Sequence, residues 1–288
     1  MKRRTRSAIV GAVCGTIFAL ILTVSTAPAQ ESKGNQLREE FHQTYPLAAN
    51  GTFELDNVNG DVRVSVWDRN EVKVDAAKFA QSKERLDEAQ IVVDATSNAV
   101  RVKTKYPERS GWRRARHDSA AKVDYSITLP RNLKLTDVSL VNGELTMEGV
   151  GNEVRADCVN GRLSARGLAG RSKLSTVNGS LDVSFDRVQN DLIDLESVNG
   201  RIELTLPSDV EATLRATTLN GAISNDWKLP IQKGRYVGRK LEGKLGNGGA
   251  TIRMETVNGR IMVRHASDGK SLSAPTNLLT DEKSEGRL

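Results

Sequence analysis

Cysteine is scarce in this chain, which holds Cys14 and Cys158 among 288 residues. Cys14 lies in an N-terminal apolar run that we expect to be removed on export. A single remaining cysteine cannot form an internal disulfide, so a disulfide-stabilised fold is excluded. Cys158 stands where equivalent segments have Thr or Ser, which predicts a small, buried side chain.

Aromatic residues make up 4% of the chain, and apolar residues at helical spacing are also rare. This pattern disfavours a helical fold. The apolar residues that are present are mostly Val, Leu, Ile and Ala. Side chains of this size suit a narrow interior between β-strands.

Signatures of metal binding and catalysis are missing as well. The sequence has no C-x-x-C, H-E-x-x-H, EF-hand or G-x-S-x-G pattern, and His42, His117 and His265 lie far apart. The stretch Gly246–Gly249 lacks the Lys-Ser/Thr of a phosphate-binding loop and is predicted to be a flexible turn. We therefore predict that the protein is not an enzyme and has no catalytic residue, metal site or cofactor.

The N-terminus has the pattern of a Sec-type bacterial signal peptide. A basic start up to Arg6 precedes an uncharged run from Ala8 to Val24, and Ala27-Pro28-Ala29 fits cleavage before Gln30. We expect export across the inner membrane to the periplasm or beyond, with an uncleaved membrane anchor as the alternative. Cleavage would lower the net charge from +6 to +2, so no nucleic-acid partner is expected.

A tripeptide, Val-Asn-Gly or Leu-Asn-Gly, occurs seven times. From Asn142 to Asn258 its asparagines are spaced 18, 18, 21, 21 and 38 residues apart, and a seventh copy stands upstream at Asn59. Near-constant periods of this length are typical of repeat architectures. Aliphatic and polar residues alternate on both sides of each copy, so each copy is predicted to join two half-buried strands.

Two folds can carry this pattern. In a β-meander each Asn-Gly would close a hairpin, whereas in a β-solenoid each repeat would be one coil stacked about 4.8 Å from the next. The nearly constant coil length favours the solenoid. We therefore predict an all-β fold, a parallel and right-handed β-helix. Its stacked asparagines would form a ladder of side-chain amide hydrogen bonds.

The Asn-Gly pairs are predicted to be structural turns, because both residue types tolerate positive φ. These turn residues are Asn59, Gly60, Asn142, Gly143, Asn160, Gly161, Asn178, Gly179, Asn199, Gly200, Asn220, Gly221, Asn258 and Gly259.

Composition divides the chain into five predicted parts. These are a signal peptide (1–29), a loose linker (30–46), a less regular N-terminal β cap (47–130), the solenoid (131–266) and a disordered tail (267–288). A cap is expected because a bare solenoid end exposes an unpaired strand edge. Within it, residues 80–90 should form a short helix and residues 91–105 a hairpin.

Two charged groups are candidate sites. A basic cluster could dock on a polyanion or an acidic membrane face, although a solvated loop is the simpler interpretation; its members are Arg109, Trp112, Arg113, Arg114, Arg116 and His117. Four carboxylates could bind Ca²⁺ as in pectate-lyase-like β-helices, but outward positions favour a solvated face; they are Asp182, Asp186, Asp191 and Asp194.

The repeats resemble a bacterial family of secreted V-N-G-repeat proteins known as "putative adhesins". The likeness covers roughly Phe53 to His265 and includes the stretches Val62–Trp67 and Val123–Pro130. It implies a right-handed parallel β-helix outside the cytoplasm, with no known catalytic residues. The adhesin label in that family comes from likeness of fold, so it transfers as an analogy only.

Three functions fit these observations. The first is a non-enzymatic cell-envelope solenoid that binds or scaffolds an envelope polymer, lipid head groups or another envelope protein. The second is a carbohydrate-active β-helix enzyme that uses the acids of residues 182–194, and the third is a membrane-tethered envelope-stress component. The sequence favours the first, because it has the repeat and the export signal but no catalytic constellation.

Overall fold

The computed structural model describes residues 36–107 and 120–279. Within these ranges the chain forms strands and one short helix, and the strands join in one hydrogen-bonded sheet. The elements in chain order are β1 (Leu37–Pro46), β2 (Thr52–Asn59), β3 (Val62–Trp67), β4 (Glu71–Ala80), α1 (Lys83–Glu88), β5 (Gln90–Ala95), β6 (Ala99–Lys105), β7 (Lys122–Pro130), β8 (Lys134–Asn142), β9 (Leu145–Glu148), β10 (Val154–Asn160), β11 (Leu163–Leu168), β12 (Ser172–Asn178), β13 (Leu181–Phe185), β14 (Leu192–Asn199), β15 (Ile202–Leu206), β16 (Ala212–Asn225), β17 (Gln232–Lys233), β18 (Arg239–Leu245), β19 (Ala250–His265) and β20 (Pro275–Asn277).

The repeats stack as parallel coils. Strand β10, which precedes an Asn-Gly corner, pairs in parallel with β8 and β12, and β11, which follows the corner, pairs in parallel with β9 and β13. A meander would instead pair the two flanks of one corner antiparallel to each other. The fold is therefore an all-β, mostly parallel β-solenoid, as predicted. Each coil contributes one strand before the corner and one after it, and we call this unit a rung.

The rungs do not follow chain order at either end of the column. Strand β2 lies between β6 and β8, so the rung β6–β7 is outside the rung β2–β3. At the other end β19 lies between β14 and β16. The predicted boundary at residue 130 therefore does not separate a cap from the column. The rung β6–β7 has no Asn-Gly corner, which is why the repeat pattern did not reveal it.

Aliphatic columns fill the interior. Three residues after each corner asparagine, Leu163, Leu181 and Ile202 are 0% exposed and pair in register with one another. Two residues further on, Ala165, Val183 and Leu204 are buried on the same face. Each buried Leu, Ile or Val side chain contributes about 1.5–3 kcal/mol by leaving water. The narrow space between the strands explains why small aliphatic residues replace aromatic ones.

Antiparallel strands cover both ends of the column. At one end β5 pairs with β6 and β4 pairs with β7; at the other, β18 pairs with β16. The predicted helix and hairpin of the N-terminal region are confirmed as α1 and β5–β6. These additions occupy strand edges that would otherwise offer unpaired backbone groups to other chains.

The predicted loose linker at 30–46 is wrong for its second half. Residues Leu37–Pro46 form β1, which pairs with β4 along its whole length. The half-buried side chains Phe41 and Tyr45 pack against the core. Strand β1 has few apolar residues because it is an outer strand, so its composition resembles that of a linker.

The predicted disordered tail at 267–288 is also wrong in part. Strand β20 pairs antiparallel with β18, and Ser273 N donates to Ser208 O at 2.9 Å. These contacts are made by backbone atoms, so the amino-acid composition of the segment does not reveal them. Residues 280–288, the predicted signal peptide at 1–29 and the basic cluster from Arg109 to His117 lie outside the described residues. In the described part of the chain, no helix has the length and hydropathy needed to cross a membrane.

Candidate functional site

The asparagines of the corners form one continuous ladder along the column. Each asparagine after the first donates from its side-chain Nδ2 to the Oδ1 of the asparagine before it in the ladder, at 2.8–3.0 Å. In spatial order the members are Asn59, Asn142, Asn160, Asn178, Asn199, Asn258 and Asn220. The ladder predicted from stacking is therefore present, with its last two members exchanged relative to the chain.

A positive φ is not the reason why asparagine occupies the corner positions. Among the described residues, the one non-glycine with positive φ is Lys228. The predicted reason for Asn at the corner is therefore wrong, and the ladder hydrogen bonds replace it. Glycine follows because stacked corners approach closely: a Cβ on Gly179 would lie 1.7 Å from the carbonyl oxygen of Gly161. Some corner glycines do have positive φ, among them Gly143 at +143°.

An aliphatic residue precedes each asparagine on the outer face, and it is exposed at five of the seven positions and half-buried at Val58 and Val141. Val159, Val177 and Val198 are 38–40% exposed, and Val257 and Leu219 continue the row at 41% and 47%. We call the asparagines and the aliphatic residues before them the Asn–Val stripe. Its aliphatic members contribute little to the core, because they point away from it.

The stripe presents the same groups at a fixed repeat. Neighbouring rungs lie about 4.8 Å apart, so seven asparagines extend over about 29 Å. An amide carries two N–H donors and two acceptor lone pairs. An inner member such as Asn178 uses one donor and one lone pair in the ladder, at 3.0 and 2.9 Å. The remaining donor and lone pair of each amide face solvent beside an apolar row.

A family model described as Toastrack DUF4097 matches residues 46–264. The chain belongs to the Toastrack DUF4097 family. The match spans the column from its first rung to its last. It agrees with the β-solenoid and leaves the function open, because the family is a domain of unknown function.

Several solved structures resemble this Toastrack chain. A "putative cell adhesion protein" from Clostridium sporogenes is 14% identical, with a TM-score of 0.47, over 80% of this chain and 100% of that one. A "putative adhesin" from Bacteroides fragilis is 9% identical, with a TM-score of 0.38, over 79% of this chain and 97% of that one. A "putative lipid binding protein" from Parabacteroides distasonis is 10% identical, with a TM-score of 0.29, over 79% and 97%. No curated protein matches the sequence.

The four predicted acids of this Toastrack domain are not brought together. Asp182 lies on the outer face after the corner, 3.5 Å from Arg162 and 3.4 Å from Arg201. Asp194 belongs to β14, before the corner, and its Oδ1 atom is buried without a partner within the described residues. Asp186 and Asp191 lie at the far corner between these strands. The spacing of the acids in sequence therefore does not produce one carboxylate site.

An open polar cleft lies where the two longer coils turn. Among its lining residues are Asp186, Asp209, Glu211 and Lys270. Lys270 Nζ lies 2.7 Å from Asp209 Oδ2, and Asn247 Nδ2 donates to Glu211 Oε1 at 3.0 Å. Within residues 36–107 and 120–279, no three His, Cys, Asp or Glu side chains are grouped as metal ligands.

Sequence analysis missed one group of serine, histidine and aspartate side chains. Ser208 Oγ lies 2.6 Å from Asp268 Oδ1 and 3.2 Å from His265 Nδ1. In a hydrolase triad the histidine stands between the other two groups. Here the aspartate contacts the serine directly, and Ser208 is 0% exposed. The group therefore ties the segment after β19 to the corner before β16.

The hydrogen bonds of this group are reflected in the acidity of its carboxylate. Ser208 donates from both Oγ and N to Asp268, which lowers the pKa of that carboxyl to about 2. The spacing of 60 residues between the two positions explains why no local motif indicated the contact.

The remaining cysteine is buried, as predicted. Cys158 lies in the inward column, and its Sγ–H donates to Gly143 O at 3.8 Å. Burial raises the pKa of the thiol to about 11. A thiol with this pKa is protonated at neutral pH and is a poor nucleophile.

Proposed function

We propose that this Toastrack protein is a non-enzymatic solenoid of the cell envelope that binds an extended polymer along the Asn–Val stripe. The observation that carries the proposal is the register of the stripe. Seven amides and the aliphatic residues before them repeat on one line, and the amides join through hydrogen bonds of 2.8–3.0 Å. A repeating surface of this kind favours a ligand that also repeats.

The chemistry of the stripe favours a polysaccharide as that polymer. Free amide donors and acceptors can bind sugar hydroxyls, and the exposed row of Val159, Val177, Val198 and Val257 offers an apolar surface to the C–H faces of sugar rings. The ladder already fixes the amide orientations, which reduces the entropy lost on binding. Each contact is weak, so affinity would grow with polymer length.

Export is part of the same proposal. The basic start, apolar run and Ala27-Pro28-Ala29 site support a cleaved signal peptide and a periplasmic or secreted location. Mass spectrometry of the native protein would test it, with Gln30 as the expected first residue. An intact N-terminus would instead favour a membrane-anchored envelope component.

Binding to a panel of purified envelope polysaccharides tests the polymer proposal. The full chain is compared with a variant that carries Val177→Arg and Val198→Arg, two exposed positions in the middle of the stripe. The matched control carries Thr146→Arg and Thr205→Arg, which lie on the outer face after the corner. Melting temperatures establish that all three proteins fold.

We expect the stripe variant to lose at least about ten-fold in affinity while the control binds as the parent does. We also expect affinity to rise with the length of the polysaccharide. Equal binding by the two double variants would reject the stripe as the site. Turnover of a polysaccharide that is abolished by Asp186→Ala would instead support the carbohydrate-active enzyme.

A further inference from the structure

One segment outside the stripe combines exposed apolar side chains with a concentration of positive charge. It is the basic loop, residues 228–240, which leads from the end of β16 through β17 to β18 at one end of the column. The loop carries five cations and no carboxylate: Lys228, Lys233, Arg235, Arg239 and Lys240. The chain as a whole has a net charge of +6 over 288 residues, so this loop is far more basic than the average of the chain.

The basic loop has a defined conformation. Strands β17 and β18 pair as a short hairpin, and Gly234 N donates to Gly238 O at 3.0 Å. A Cβ on Gly234 would lie 2.0 Å from the carbonyl oxygen of Val237, and Gly238 has a φ of +88°. The two glycines therefore allow a tight turn whose tip is Arg235, Tyr236 and Val237.

Buried residues hold the base of the loop. Trp227 and Leu229 are 2% and 4% exposed, and the side chain of Asn225 exchanges two hydrogen bonds with the backbone of Leu229, at 2.8 and 2.9 Å. Leu229 packs against Gly243 of β18, where a Cβ would lie 2.5 Å from Leu229 Cδ2. The tip therefore projects from a fixed base.

Two residues of the tip are exposed to a larger fraction than any other large hydrophobic residue in the described ranges. Tyr236 is 85% exposed and Val237 is 62% exposed, and Ile231 beside them is 36% exposed. Tyr236 and Val237 do not belong to the core or pack against it. Exposed apolar groups with a charged surround are typical of surfaces that contact a partner or a membrane.

The cations of the loop are also available. No carboxylate of the described residues forms an ion pair with Lys228, Lys233, Arg235 or Arg239, whereas Lys240 Nζ lies 2.8 Å from Glu242 Oε2. The guanidinium of Arg235 lies 5.5 Å from the ring centre of Tyr236, so charge and aromatic ring share one surface.

We propose that the basic loop docks the protein on a bilayer that contains anionic phospholipids. Tyr236 and Val237 would enter the head-group layer, where tyrosine is favoured because its ring is apolar and its hydroxyl is polar. Lys233, Arg235 and Arg239 would lie against the lipid phosphates, to which basic residues at a membrane surface are attracted. A soluble polyanion would engage the cations and leave the apolar tip in water. This inference concerns a surface separate from the Asn–Val stripe and does not depend on polymer binding.

Flotation of the full chain with vesicles tests the proposal. One set of vesicles contains phosphatidylcholine alone, and the other contains phosphatidylcholine with one quarter phosphatidylglycerol. The charge variant carries Lys233→Gln and Arg235→Gln, and the tip variant carries Tyr236→Ser and Val237→Ser. The matched control carries Arg155→Gln and Arg171→Gln, which removes two exposed cations from the column.

We expect binding to the anionic vesicles to exceed binding to the neutral ones, and to fall as salt is raised. The charge variant should lose about ten-fold or more in partitioning, and the tip variant should also bind less, while the control matches the parent. Binding of soluble polyphosphate should be unaffected in the tip variant. If charge variant and control partition alike, or if the tip variant binds vesicles as the parent does, the proposal is wrong.

A local readout separates the loop from any contact made by the N-terminal segment. Tyr236→Trp adds a tryptophan at the tip, and its emission is obtained by subtracting the spectrum of the parent. Brominated phosphatidylglycerol should quench this added emission, and brominated phosphatidylcholine in neutral vesicles should not. Absence of quenching by the anionic vesicles would overturn the proposal even where the protein floats with them.

Discussion

Asn258 donates from its side-chain amide to Asn199 Oδ1 at 2.9 Å, although 59 residues of chain separate them. Asn220, which is nearer to Asn199 in sequence, lies beyond Asn258 and donates to it at 3.0 Å. Strand β19 therefore lies between β14 and β16, and its Asn258 links the asparagines of those two strands. The continuity of the ladder depends on rungs that are remote in sequence, which makes its hydrogen bonds a direct test of the fold.

Leu163→Asp should destabilise the protein severely. The side chain is 0% exposed, so the change forfeits about 1.5–3 kcal/mol of burial and also places a carboxylate in an apolar interior. Thermal melts measure the effect. Val159→Asp is the matched control, because Val159 is 38% exposed on the same rung and should melt close to the parent. An unchanged midpoint for Leu163→Asp would contradict the inward position of that residue.

Asn178→Ala should cost about 1–2 kcal/mol, because it removes two ladder hydrogen bonds. The cost falls at the low end of this range if water satisfies the freed amides. Asn220→Ala is the control, since Asn220 lies at the end of the ladder and makes one such bond. Chemical denaturation at fixed salt gives both free energies of unfolding. A larger loss at Asn220 than at Asn178 would argue against a contribution from the ladder.

Gly179→Ala should destabilise the stack by about 1–3 kcal/mol or more, because its Cβ would lie 1.7 Å from the Gly161 carbonyl oxygen and the backbone must shift. Gly269→Ala serves for comparison: no atom lies within 4 Å of the added Cβ, and the cost there comes from a φ of +71°. Differential scanning calorimetry measures both. Equal midpoints for the two variants would show that close approach of the corners is unimportant.

Asp268 should make folding stability depend on pH in the acid range. Its pKa falls from an ordinary value of 3.8 to about 2 in the folded protein, through hydrogen bonds from Ser208. The ionised carboxyl is therefore stabilising above pH 3.8, and this contribution is lost as the pH falls through the folded pKa.

Asp268→Asn should therefore be less stable than the parent at pH 7 and equal to it near pH 2. Urea denaturation at a series of pH values measures the difference between the two proteins. Ser208→Ala removes the hydroxyl that donates to Asp268 Oδ1 at 2.6 Å, so it should weaken the same acid dependence. A difference that persists unchanged down to pH 2 would mean that Asp268 acts through its shape and not through its charge.

Most of the fold could be predicted from the repeat pattern. The alternation around each Asn-Gly predicts which face is buried in the strands that flank it, and the nearly constant period predicts the parallel stack. The spatial exchange of β19 and β16 could not be predicted from the sequence. Every rung has aliphatic residues at the same inward positions, so each rung can pack on any other. Strand β1 was missed for a related reason: an outer strand gains stability from backbone pairing, which leaves little trace in side-chain pattern.

Surface features were harder to predict than the core. The acids from Asp182 to Asp194 are close in sequence, but they lie on different faces because the chain turns between them. The contact of Ser208 with Asp268 joins two corners 60 residues apart. The exposure of Tyr236 in the basic loop follows from the tight turn of Gly234 and Gly238, which composition alone does not specify.

The position of β19 bears on how the molecule is made. Synthesis delivers Ala212–Asn225 before Ala250–His265, so the outermost coil exists before the one that must separate it from its neighbours. Coil-by-coil growth from the N-terminal end therefore cannot finish the structure. A product that terminates before residue 250 lacks the strand that separates β14 from β16, so β14 either keeps an open edge or pairs with β16 in a non-native order, and both states favour proteolysis and aggregation. We expect this arrangement to act as a length check, in which only a nearly complete polypeptide becomes resistant to degradation.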